Sequence, residues 1–106
     1  MLHDTKHDLS QDSQDLLNAA DYIDQNGWCQ EVKSNPSGEV CLWGSLLAVT
    51  DGLRESYFTS PRAAKLYDMV KVHLLGVKPD NWNDVKSRTK AEVTALLREI
   101  ALKSKE

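Results

Sequence analysis

Cys41, His73 and the adjacent pair Asn83-Asp84 are the residues of this 106-residue chain whose types could carry covalent chemistry. A thiol, then an imidazole, then a carboxylate or amide is the order of a thiol hydrolase. There the thiolate attacks, the imidazole moves the proton, and the third group orients the imidazole. Cys41 is expected where an extended segment runs into a helix, and the positive end of a helix lowers a thiol pKa. Its neighbours Val40, Leu42 and Trp43 point the other way, towards a cysteine used as a small buried hydrophobe. His73 falls inside a predicted helix beside an apolar stripe, and no spacing brings it to Cys41. Burial of Cys41 is therefore the favoured reading. A nucleophilic Cys41, with His73 as base and Asp84 or Asn83 as orienting group, is the alternative.

The other chemistry-bearing residues are weaker signals. His3 and His7 stand at i, i+4 beside Asp4 and Asp8, a spacing that would put two metal ligands on one helix face. No apolar stripe holds that stretch helical and no third ligand is near, so a solvated tail is expected, with no metal and no cofactor. Trp82-Asn83-Asp84, between two predicted helices, either plugs the core and caps a turn or anchors a partner. Trp82, Asn83 and Asp84, with Trp28, are accordingly the partner-binding candidates. A small-molecule pocket lined by Trp28, Trp43 or Trp82 is a further reading.

These residues must be positioned by helices. Residues 1–9 read as a flexible lead and 10–106 as a single helical domain. Ser10 or Ser13 can cap a first helix over about 12–25, with Leu16, Leu17, Ala20 and Ile23 at helical spacing and Gly27 at its end. Residues 42–50 are apolar almost throughout and suit a buried helix. Ser60-Pro61 starts a helix over 61–75 with Ala64, Tyr67, Val70 and Leu74 on one face. Asp80 can cap a short turn carrying Trp82. Thr89-Lys90-Ala91-Glu92 is a capping box for a helix over 90–103. Between the first two helices, Ser34-Asn35-Pro36-Ser37-Gly38 is dense in turn formers. The simplest reading there is a β-hairpin over about 28–43, pairing 33 with 40 and 32 with 41. That register puts Cys29 and Cys41 on opposite faces and disfavours a disulfide. The fold class is thus mainly α: a compact bundle of about four helices with a small hairpin packed on it.

Composition narrows the function classes. No apolar run approaches the length of a membrane span, and the start of the chain lacks the apolar core of a signal peptide, so a cytoplasmic location is expected. Residues 1–60 hold three Lys and Arg against ten Asp and Glu, a net of −7, while residues 61–106 carry a net of +4. Such asymmetry either steers a partner or disappears when the halves fold together and their charges interleave. The basic residues are scattered among acids and the five glycines are isolated, which argues against nucleic-acid and phosphate-loop binding.

The runs Ala19-Ala20-Asp21-Tyr22-Ile23, Gly27-Trp28-Cys29-Gln30 and Gly38-Glu39-Val40-Cys41-Leu42-Trp43-Gly44-Ser45-Leu46 form a combination, together with Trp82-Asn83-Asp84, Arg88-Thr89 and Ala95-Leu96-Leu97-Arg98. That combination resembles a small family of uncharacterised bacterial and bacteriophage proteins, over about residues 14–101. The resemblance implies a bacterial or phage setting, no particular activity, and a small residue after Gln30, where this chain has Glu31. The functional expectation is a non-enzymatic protein-binding domain, such as a phage-encoded inhibitor or adaptor of a host or defence protein. A protein partner, including a second copy of the chain, is expected.

Overall fold

Five helices run through residues 10–53 and 59–104, the parts of the chain that a computed structural model describes. They are α1 (Gln11–Asn26), α2 (Leu42–Thr50), α3 (Pro61–His73), α4 (Pro79–Asn83) and α5 (Lys90–Lys103). Local chemistry sets most of their ends. The Ser10 hydroxyl accepts from the Ser13 amide at 3.1 Å, and Gly27, at φ 97°, donates its N–H to Ile23 and closes α1. Ser60 caps α3 ahead of Pro61, and the Thr89–Glu92 box is formed in both directions.

The core lies where α1 packs along α5 and against α2. Leu16, Ala19, Ala20 and Ile23 meet Val93, Leu97, Ile100 and Ala101, with Leu42 and Leu46 closing one side. Each fully buried Leu, Ile or Val side chain contributes about 1.5–3 kcal/mol, so this seam carries most of the hydrophobic stabilisation. α1 and α5 run antiparallel. The Ser13 hydroxyl donates to the Ala101 carbonyl at one end, while Arg98 and Lys90 pair with Asp21 and Asp24 at the other. α3 leans on α2 and α5, and it turns Ala63, Leu66 and Val70 inward. The stripe expected for this helix is therefore rotated: Val70 faces in, but Ala64 is exposed.

The charge asymmetry is largely absorbed by these contacts. Arg62 of α3 pairs with Asp12 and Asp15 of α1, and Lys65 reaches Asp12 at 2.8 Å. Burial alone would push the Asp12 carboxyl up. Hydrogen bonds from Lys65 and Arg62 outweigh it and hold Asp12 below the usual carboxylate value.

No strand forms among the described residues, so the expected hairpin is corrected. Residues 27–41 make an irregular loop with two isolated bridges, both to Val40: one parallel from Trp28 and one antiparallel from Ser34. The chain turns back between them at Glu31, whose φ is 73°. Val40 is thus flanked on both sides by the same loop, which two hairpin arms cannot do. The Cys41 amide bonds the Lys33 carbonyl at 3.1 Å, one residue away from the expected register. The expected flexible lead, with His3 and His7, lies outside the described residues.

Candidate functional site

Asn83 is the centre to which the distinctive residues converge. It is the last residue of the short helix α4, which starts at Pro79, and its side chain is fully buried. Its Oδ1 accepts from the Trp28 indole N–H at 2.6 Å and from the Leu42 backbone N–H at 3.0 Å. Its Nδ2 donates to the Cys29 carbonyl at 3.2 Å and to Asp84 Oδ1 at 3.0 Å. Gln30 closes the ring from the other side, its amide nitrogen donating to the carbonyls of Asn83 (3.0 Å) and Val85 (2.9 Å). Asp84 also accepts from the amide of Glu31 at 2.9 Å. That bond holds Glu31 in the left-handed region, the position where the family resemblance implies a small residue.

The cluster fastens three segments, residues 28–31, the start of α2, and residues 83–85. Leu42 is the first residue of α2, so Asn83 satisfies a helix-start amide from 41 positions away in sequence. Cys41 is the N-cap of the same helix, its sulfur accepting from the Gly44 amide at 3.3 Å. Gly44 answers a steric demand as well. A Cβ there would lie 1.9 Å from the Lys33 carbonyl oxygen, so only glycine lets the loop backbone rest on α2. No buried side-chain nitrogen or oxygen among the described residues lacks a partner. The buried part of the cluster is a filled hydrogen-bond network, while Glu31 and Asp84 lie at its exposed edge.

The sequence-derived catalytic candidates are not brought together. Cys41 is buried, and burial pushes its thiol pKa up, outweighing the Gly44 and Trp43 amides that favour the thiolate. This agrees with the favoured reading of a buried Cys41; lowering by the helix end belongs to the alternative, and desolvation is the larger effect. His73 bonds Glu99 of α5 at 2.9 Å, and Asp84 is engaged with Glu31 and Asn83. No hydrogen bond among the described residues joins Cys41, His73 and Asp84. Cys29 is half-buried, donates to the Val32 and Glu39 carbonyls, and has its pKa raised to about 11, chiefly by burial. Both cysteines are free thiols, and no group of three or more His, Cys, Asp or Glu among the described residues could hold a metal.

The partner-binding candidates divide. Asn83 is inside the protein, and Trp28 is partly buried with its indole N–H engaged. Trp82 is half-buried beneath the Arg88 guanidinium, which lies 3.7 Å from the ring centroid. Trp43 packs edge-on against Tyr67 at 4.7 Å. Asp80 does not cap α4. It accepts from the Tyr67 hydroxyl at 2.9 Å, and burial together with this bond raises the phenol to about 12.

The open surface lies elsewhere. A groove of about 600 Å³ runs between α3 and α5, walled by Met69, Val72 and Ile100, with Lys65, Asp68 and Lys103 among its polar residues. A smaller depression of about 290 Å³ lies on the other side of α3, lined by Trp43 and Tyr67. Ala64 and Asp68 line both, so the outer face of α3 is a ridge between two hollows. Met69 and Val72 lie off the stripe expected for this helix, and apolar residues outside a core stripe were the signal for this surface.

The fold and its interior cluster define a small, mainly helical protein whose polar motif residues serve architecture. The model of DUF6197, a family of unknown function, matches residues 8–102, and the chain belongs to that family. No curated protein and no solved structure matches the chain.

Proposed function

We propose that the chain is a small non-enzymatic protein-binding domain whose docking surface is the groove between α3 and α5. One observation carries the reading: Val72, on the groove wall, is 74% exposed beside Met69 and Ile100, although the interior polar groups are internally satisfied. An exposed valine beside a half-buried methionine, bordering a groove rimmed by charge, favours a protein partner over a small polar ligand. The resemblance to bacterial and bacteriophage proteins supports the specific form of an inhibitor or adaptor acting on a host or defence protein in the cytoplasm. Against the thiol-enzyme reading stand the burial of Cys41 and the separate engagement of His73.

The test is Val72→Asp. Thermal unfolding is expected to be nearly unchanged, by about 0.5 kcal/mol or less, because the side chain is largely in water already. Chemical cross-linking and sedimentation, alone and with host lysate, are expected to show association for the parent chain and its loss in the variant. If the parent chain associates with nothing, itself included, the reading is overturned.

A further inference from the structure

The outer face of α3 is complementary to itself. Its exposed residues, read along the ridge, are Pro61, Ala64, Lys65, Asp68 and Val72, with half-buried Met69 at the groove edge. Reverse that order, as a two-fold axis does to a second helix laid antiparallel, and centre the axis between Arg62-Ala63-Ala64-Lys65-Leu66 and Tyr67-Asp68-Met69-Val70-Lys71. Pro61 then faces Val72 of the other copy, Ala64 faces Met69, and Lys65 faces Asp68. Small apolar residues meet larger ones and each cation meets an anion, twice over by symmetry. Relief agrees with chemistry, because α3 stands as a ridge beside the α3–α5 groove, so each copy can lay its ridge into the other's groove.

The charges fit this use. Asp68 is exposed and forms no ion pair among the described residues, and Lys103 on the opposite wall of the groove also forms none. Lys65 keeps 60% of its side chain in water while touching Asp12. A ridge carrying one acid with no ion pair among the described residues, with cations on both sides of the adjoining groove, matches a second ridge of the same pattern.

We infer that the partner seated in the α3–α5 groove is a second copy of this chain, in an isologous dimer about a two-fold axis that pairs Lys65 with Asp68 across the interface. This rests on the protein-binding reading of the groove and names its occupant. Three turns of helix make a small interface, so the dimer is expected in the micromolar range or weaker.

The experiment is a charge exchange followed by sedimentation equilibrium. Lys65→Glu and Asp68→Lys are each expected to weaken self-association about tenfold to a hundredfold, because every substitution creates two like-charge pairs. Mixing the two variants is expected to restore association. The acid introduced in the first variant then meets the cation introduced in the second, and the native pair forms at the symmetry-related site. Circular dichroism of each variant confirms that the helices are intact. A misfolded variant would not regain association on mixing, so restoration separates an interface effect from a folding effect. A parent chain that stays monomeric to millimolar concentration overturns the dimer. If that monomer still binds a host protein in a Val72-dependent way, the protein-binding reading stands and only the occupant is wrong. A parent dimer that neither single reversal weakens overturns the pairing of Lys65 with Asp68.

Discussion

The Asn83 cluster and the α3 ridge are opposite solutions to the placing of polar and apolar groups. Around Asn83 the polar groups are inside and bonded to one another. Along α3 an exposed Val72 and a half-buried Met69 border a groove rimmed by charge. The first arrangement is costly to disturb, because its buried groups are bonded to one another. The second contributes little to folding and leaves area to bury on association. Cys41 and Asn83, which look chemical in the sequence, thus lie in the interior, while His73 borders the groove beside residues that look ordinary.

Substitutions can break or sharpen this contrast. Asn83→Ala should have the largest effect. It strands the Trp28 indole N–H and the Leu42 amide in a buried site, and a loss of about 4 kcal/mol is expected in urea unfolding. A loss below about 1 kcal/mol would erase the distinction between the two regions. Gly44→Ala comes next, at about 3 kcal/mol, because the Lys33 carbonyl must retreat and its bond to the Cys41 amide goes with it. Hydrogen exchange should show the damage confined at first to residues 28–44. Asp12→Asn is smaller, up to about 1 kcal/mol at pH 7, since Arg62 and Lys65 are well exposed to solvent screening.

The sign of its pH dependence follows from the lowered Asp12 pKa. A carboxylate held below its unfolded value of 3.8 contributes stability above that pH and loses it as pH falls through the folded value. The parent chain should therefore lose stability below about pH 4 more steeply than Asp12→Asn does, as thermal unfolding across pH will show. Smallest in stability, and decisive for association, is Val72→Asp.

How far the sequence anticipated this structure depended on the range of the interactions. The bounds expected for the second and last helices agree with Leu42–Thr50 and Lys90–Lys103. The last helix shows why: Thr89 and Glu92 cap it from within one turn. The loop over 27–41 departs from the expected hairpin because its geometry is not local. Val40 takes one bridge from Trp28 and another from Ser34, and the reversal rests on a positive φ at Glu31, a residue type that gives no hint of one. A partner for the Leu42 amide supplied by Asn83 could not be seen from neighbours at all. Trp28, Gln30, Cys41 and Trp82-Asn83-Asp84 stand out in the sequence by type and combination, but that most of them meet at Asn83 depends on contacts over more than fifty residues. The groove was legible only as a mismatch, Met69 and Val72 standing off the core stripe.

The long reach of Asn83 also sets an order of events during synthesis. Its bonds to Trp28 and Leu42 close loops of 55 and 41 residues. Capping sets the ends of α1 and α2 locally, but the loop between them gains its bonds to Asn83 only once α4 is present. The second half of the chain therefore arrives as the clasp for the first. A nascent chain halted before residue 83 lacks the fastening of residues 28–31 to the start of α2.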